Sequence, residues 1–213
     1  MKVFFSYSSR DRVRVGEIKQ EMESKYGIEV FLAHEDIEPC TEWQTRIISE
    51  LKTCGAILLF LTPHFKRSKW TDQETGFALA RRTKIVPVDA GAIPYGFVGR
   101  IQAHRFVDVS SLCKEVFEVF VADRLLKEKA LDALIVTFRA SDSYITANSN
   151  ARRLMRYKDK FNRRQKNEIV RYAGQNAQIT GGFTASRLVR EFATENEGVI
   201  DPRILSLFTS LAR

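Results

Sequence analysis

The sequence predicts an α/β architecture: a five-stranded parallel sheet covered by helices on both faces, followed by a small all-α unit. Three observations carry this. The first 125 residues alternate short apolar runs with stretches of helical period, as successive βα units do. The run Gly55-Ala56-Ile57-Leu58-Leu59-Phe60-Leu61 is apolar throughout, as a strand buried on both faces must be. From about residue 128 strand signals fade and helical periods dominate.

Taken in order, Lys2-Val3-Phe4-Phe5-Ser6 reads as a short buried strand that leaves through Tyr7-Ser8-Ser9-Arg10-Asp11. Asp11 can cap a helix whose inner face is Val15, Ile18 and Met22, and Gly27 can end it in the left-handed conformation. Ile28 to Leu32 is the second strand, and an acid-rich loop follows, Ala33 to Cys40. Thr41-Glu42-Trp43-Gln44 fits a capping box for a helix that buries Trp43, Ile47, Ile48 and Leu51. Strand 55–61, helix 70–82 and strand 84–88 come next. Residues 89–103, with three glycines and a proline, read as a long loop before a last short strand, His104 to Val107. A helix around 111–127 turns Leu112, Val116, Phe117 and Phe120 inward. The strand order expected for this series is the flavodoxin-like 2-1-3-4-5, which makes the first and third strands neighbours at a switch point.

The division expected is 1–125 and 126–213. In the second part the periods predict helices at 130–138, 143–157 (burying Ile145, Ala151 and Leu154), 161–173 and 184–195. Gln178 to Gly182 reads as a turn, and Asp201-Pro202 opens a last helix through Leu205 and Phe208.

Composition excludes several classes. A hydrophobic fraction of 44% supports a sizeable core. The longest apolar run, Ala56 to Leu61, is too short to span a bilayer, and Met1 runs directly into a strand with no signal peptide, so a cytoplasmic location is expected. Cys40, Cys54 and Cys113, like His34, His64 and His104, are scattered without metal-ligand spacing, so no metal is expected. The net charge of +8 is uneven. Residues 1–125 hold 18 basic and 17 acidic residues, whereas 126–213 hold 16 and 9, gathered between Arg152 and Arg171. That run suits an acidic partner or a solvated helical face; no nucleic-acid-binding motif accompanies it, so nucleic acid is not the expected partner.

The stretch from Ser68 to Ala78 carries the chemistry. Trp70, Glu74, Phe77, Ala78 and Arg81 share one helical face, largely apolar, with a single carboxylate on it. Thr71-Asp72-Gln73-Glu74 fits a capping box, and a carboxylate in a first turn suits the helix dipole. Against a purely structural cap stands the preceding strand 55–61: Glu74 falls near its carboxyl end, the edge where open α/β sheets bind ligands. Cap and working group both remain open at this point.

The motifs Val3-Phe4-Phe5-Ser6-Tyr7-Ser8, then Phe31 through Asp36-Ile37-Glu38-Pro39, then Ser68-Lys69-Trp70-Thr71-Asp72-Gln73-Glu74 resemble the three signature regions of TIR (Toll/interleukin receptor) domains. The resemblance spans about residues 1–125, and the lean loops are similar to the bacterial branch, including proteins of anti-phage systems such as Thoeris. The tail matches no family by its motifs. The resemblance implies the TIR fold and self-association through it. In the enzymatic branch it implies cleavage of the nicotinamide–ribose bond of NAD, taken as substrate and not as cofactor, by the Glu of a W-x-x-x-E pattern, here Trp70 and Glu74. The product would be ADP-ribose or a cyclic ADP-ribose signal for a downstream effector. Plant members commonly carry Cys after the Trp, where Thr71 stands here; Cys40 replaces the Gly that often follows the Pro of the second region. The resemblance also implies nucleotide contacts from Ser6, Tyr7, Arg10, Asp36, Trp43 and Trp70. For Trp43 and Trp70 core packing is the competing role, and for Arg10 a solvated surface charge. Two other functions compete: a non-enzymatic TIR scaffold, and a nucleoside deoxyribosyltransferase-like enzyme, which has a similar fold and a catalytic Glu.

Overall fold

The computed structural model describes residues 1–32 and 43–211, in two compact units, Met1–Leu126 and Lys127–Arg213. The first unit is a five-stranded parallel sheet: β1 (Lys2–Ser6), β2 (Glu29–Leu32), β3 (Ala56–Leu61), β4 (Lys84–Asp89) and β5 (His104–Arg105), in the order β2-β1-β3-β4-β5. Its helices are α1 (Arg12–Tyr26), α2 (Trp43–Thr53), α3 (Lys69–Ala80) and α4 (Val109–Ala122). Central β3 is buried at all six positions, which is why its sequence does not alternate.

The two sheet faces bury different aromatic sets. On one face Phe4, Phe31, Ile57 and Leu59 pack with Ile47 and Leu51 of α2 and Ala78 of α3. Residues of opposite parity pack separately: Phe5 lies 6.1 Å from Phe60, and Phe60 meets Phe106 edge-on at 5.5 Å. Helices α1 and α4 pack together, with Tyr26 and Phe117 rings 4.8 Å apart. In the register, Ser6 lies opposite Leu59, so the carboxyl ends of β1 and β3 stand side by side where the chain reverses direction across the sheet.

Two features set where α2 and α3 lie. The Arg81 guanidinium donates to the Leu51 carbonyl at 3.0 Å, satisfying an acceptor in the last turn of α2 and tying that helix to the end of α3. Glu50, its side chain 4% exposed, accepts from Lys2 and from Arg46, each at 2.8 Å, anchoring α2 to the start of β1. Glu50→Gln removes the charge from both contacts. Because Lys2 and Arg46 remain partly hydrated, the expected loss is about 2 kcal/mol. A lower urea midpoint with an unchanged slope is the result to look for.

Several local expectations need correction. Asp11 does not cap α1: its carboxylate instead accepts the Thr62 hydroxyl at 2.8 Å, linking the loop after β1 to the end of β3. Gly27 does end α1, at φ 66°, in the left-handed conformation. The pattern Trp43, Ile47, Ile48, Leu51 is only half buried; Ile47 and Leu51 face the core, whereas Trp43 and Ile48 are 42% and 43% exposed. The capping box at Thr41 extends outside the described residues, as do His34, Asp36, Glu38 and Cys40. The last strand stops at Arg105, because Phe106 and Val107 already lead toward α4, which starts at Val109 with Asp108 as its cap.

The second unit is helical: α5 (Lys127–Arg139), α6 (Tyr144–Met155), α7 (Arg163–Gln175), α8 (Ala177–Thr180), α9 (Phe183–Glu195) and α10 (Pro202–Leu211). Capping boxes at Ser143/Thr146 and Asn162/Gln165 start α6 and α7. Buried Gln165 also donates to Asp132 at 2.7 Å, tying α7 to α5. The turn expected at 178–182 is partly helical, since Asn176 accepts from the Gln178 amide and starts α8. Gly182 is required at the α8–α9 junction: a Cβ there would sit 2.8 Å from the Gln178 carbonyl oxygen. Ile145 is 81% exposed, not buried, because Ala147, Ala151 and Leu154 form the inner stripe of α6. Within the basic run Lys158, Arg164 and Arg171 pair with Glu195, Asp132 and Glu168.

Candidate functional site

The connection from β3 to α3 is held by side-chain bonds to backbone. Thr62 accepts from the Phe65 amide at 3.2 Å, and a 3-10 turn follows, Phe65–Arg67. Helix α3 begins at Lys69 with Ser68 as its cap residue, three positions before the Thr71 cap that the capping-box pattern implies. Thr71 is therefore inside the helix, where its hydroxyl donates to the Phe65 and Ser68 carbonyls at 2.9 and 2.8 Å. Glu74 stands six residues in, beyond reach of the cap. The capping-box reading of Glu74 is thereby overturned, and its side chain turns inward instead.

Glu74 is 5% exposed and accepts the Ser6 hydroxyl at 2.5 Å. That bond joins α3 to the last residue of β1, at the switch point of the sheet. Burial pushes the Glu74 carboxyl up to about 7 from its ordinary 4.5, and the Ser6 hydrogen bond only partly offsets this. Among the described residues no cation contributes to that balance. A buried carboxylate that serves structure is normally paired with a cation or multiply hydrogen-bonded; among the described residues this one has a single hydroxyl.

The carboxyl lines a cleft of about 490 Å³ between α2 and α3, a volume typical of small-molecule sites. Ile47, Ile48 and Leu51 form one wall, Trp70 and Phe77 the other, and Gln44 and Gln73 bring the remaining polar side chains. Trp70, 36% exposed, meets Trp43 edge-on with ring centroids 4.4 Å apart. Neither indole is packed away, so both keep a ring surface for a planar ligand.

The six predicted nucleotide contacts separate. Ser6 reaches the cleft through Glu74, Trp70 stands in its wall, and Trp43 meets Trp70 edge-on beside it. Tyr7 is 2% exposed with its ring edge-on to Phe5 at 6.3 Å, so it packs in the core. Arg10 lines a separate polar hollow. Asp36 lies outside the described residues. Gln44, Ile48, Gln73 and Phe77 also line the cleft, although none of them is among the nucleotide contacts expected from the sequence. The spacing of 44, 47, 48 and 51 places one face of α2 toward one surface, but it does not distinguish a cleft wall from a packed core. Among the described residues no group of His, Cys, Asp and Glu is arranged to hold a metal ion. No helix among them is long and apolar enough to cross a membrane.

A family model described as TIR domain matches residues 3–120. Among solved structures, the TIR domain of the Toll-related receptor TRR-2 from the lower metazoan Hydra magnipapillata is similar at 15% identity. That likeness covers 57% of this chain and 98% of the receptor domain, with a TM-score of 0.49. No curated protein matches.

Proposed function

The chain belongs to the TIR domain family, and from its cleft we propose that it is an NAD nucleosidase that cleaves the nicotinamide–ribose bond. The observation that carries this reading is Glu74: a buried carboxyl without a cationic partner among the described residues, lining a cleft beside exposed indoles. Such a site lacks positive charge, and the reaction supplies it.

Nicotinamide leaves with the electron pair of the glycosidic bond and becomes neutral, so no strong general acid is needed. The positive charge that resided on the pyridinium ring develops at C1′ of the ribose. The ionised Glu74 stabilises that charge, and the apolar walls strengthen the interaction by excluding water. Ser6 fixes the carboxylate orientation. Trp70, edge-on to Trp43, offers its ring to the nucleotide. Capture of C1′ by water gives ADP-ribose and a proton; capture by a nucleophile of the same molecule gives a cyclic ADP-ribose signal. We place the enzyme in the bacterial anti-phage branch, acting through TIR–TIR assembly upstream of an effector, with residues 1–125 as the catalytic domain and 126–213 as a helical partner domain.

The test is chromatography with mass detection on full-length protein and NAD over a range of protein concentrations. Nicotinamide release rising faster than linearly with protein supports an assembly-dependent enzyme, and the mass of the second product separates linear from cyclic ADP-ribose. NAD left intact at the highest concentration favours a scaffold. Base exchange on deoxynucleosides without NAD loss favours the deoxyribosyltransferase class.

Trp70→Ala separates binding from folding. A stacked base contributes about 1–3 kcal/mol, so KM for NAD should rise by about 5- to 150-fold. Trp70 is partly exposed, so the circular dichroism spectrum should stay that of the parent. Trp70→Phe should recover most of the loss.

A further inference from the structure

In the second unit, helices α6 and α9 run parallel. Near their starts the Asn148 side-chain carbonyl accepts the Ala185 amide at 2.8 Å, and beyond their far ends Lys158 and Glu195 pair at 2.7 Å. Their inner stripes, Ala147, Ala151 and Leu154 of α6 and Ala185, Val189 and Phe192 of α9, are buried. The outward faces repeat one pattern. Ile145, Ser149, Arg152 and Arg156 on α6 are spaced i, i+4, i+7, i+11, and so are Phe183, Arg187, Arg190 and Thr194 on α9; all eight are exposed.

Because the helices are parallel, their apolar residues fall at the same end, and Arg152 and Arg190 follow about 10 Å further along. Phe183 and Ile145 are 84% and 81% exposed. Tyr144, also exposed, lies against the turn that leads into α9: a Cβ on Gly181 would stand 3.1 Å from its ring and hydroxyl. Large apolar side chains gathered this way mark an interaction surface. The charges beside them are uneven. Arg187 is balanced by Glu191 at 2.7 Å, whereas Arg152, Arg156 and Arg190 form no ion pair among the described residues. Of the nearby acids, Asp142 accepts the Thr146 hydroxyl and Glu195 is held by Lys158.

We infer that this face of α6 and α9 binds the surface of an anionic lipid bilayer, with the helix pair lying along it. Phe183 and Ile145 enter the boundary between headgroups and acyl chains, and Tyr144 sits at headgroup depth. Arg152, Arg156 and Arg190 complement the negative headgroups, their stems lying over apolar surface while the guanidinium groups reach the phosphates. Nucleic acid suits the arginines, but an exposed Ile offers a base no stacking surface. A second copy docked on the same face would set arginine against arginine. Attachment gathers chains on a surface and so raises their local concentration for assembly; that consequence rests on the proposed reaction, whereas the binding does not.

The experiment is flotation of full-length protein with vesicles of phosphatidylcholine, alone or mixed with phosphatidylglycerol. The parent is compared with Ile145→Ser/Phe183→Ser, with Arg152→Gln/Arg190→Gln, and with Arg124→Gln/Lys129→Gln as a control for net charge. All the replaced side chains are exposed, and thermal melts check that the variants fold. The parent should float with the anionic vesicles only, and less as salt is added. Affinity should fall about fivefold for each arginine removed from the face and about tenfold or more for the paired apolar change. The control should stay near the parent, because charges away from the contact are screened. A parent that does not float with anionic vesicles overturns the inference, as does equal flotation by either face variant or an equal loss in the control. Arginine-dependent binding of a duplex DNA oligonucleotide in place of vesicles assigns the face to nucleic acid and overturns it too. Because no arm uses NAD, failure here leaves the proposed reaction untouched, and vesicle binding by a protein that leaves NAD intact upholds the face alone.

Discussion

Glu74→Gln is expected to make the chain more stable at pH 8.5. Glutamine has nearly the shape of glutamate, and its amide oxygen can still accept the Ser6 hydroxyl. What the substitution removes is a charge held in a poorly hydrated site. Raising a carboxyl from 4.5 to about 7 corresponds to about 3 kcal/mol of strain once both folded and unfolded chains are ionised. That is a large fraction of the stability of a typical domain. Urea unfolding at pH 8.5 should place the variant above the parent. Below pH 4.5, where the carboxyl is protonated in both states, the two proteins should agree. A variant less stable than its parent at pH 8.5 would mean that the carboxylate is satisfied by partners, as a structural residue is.

The parent should show stability and activity moving in opposite directions with pH. Between about pH 4.5 and 7 the folded protein keeps the Glu74 proton that the unfolded chain has lost. The native state then binds more protons, so stability falls as pH rises through this window. The stabilisation of C1′ needs the ionised form, so kcat/KM for NAD should rise about tenfold per pH unit below 7 and level above it. Ser6→Ala provides the control. The Ser6 hydroxyl holds the carboxyl down, so its loss should move the rising limb to higher pH. A flat profile from pH 5 to 9 would detach the reaction from this group.

This opposition between stability and function bears on what was legible in the sequence. The strand order was legible because short apolar runs alternate with helical periods, the pattern of a doubly wound parallel sheet, and because β3 is apolar at every position, as a strand buried on both faces is. The position of Glu74 on an inward helical face was legible from its spacing with Trp70 and Phe77. Its role as a cap or a working group was not, because the start of α3 is set by the Thr71 hydroxyl reaching back to the Phe65 and Ser68 carbonyls, a tertiary detail of the loop. Trp43 and Ile48 carried the periodicity of core residues but line or flank a cleft, since period records which face a residue occupies and not how closely the next helix approaches. Arg10 was legible as a loop residue near the sheet edge. Its company with His64 and Arg67 in the polar hollow depends on the β1 and β3 loops meeting, helped by the bond between Asp11 and Thr62.

Nicotinamide release by the parent and by Glu74→Gln, measured side by side on full-length protein with NAD at pH 8, tests the central claim most directly. Loss of one preorganised electrostatic group in a dry site typically slows reaction by about 10²–10³-fold. The account predicts a loss of at least that size in a variant whose unfolding transition lies at or above that of the parent. A folded Glu74→Gln protein that releases nicotinamide at the parental rate would contradict it.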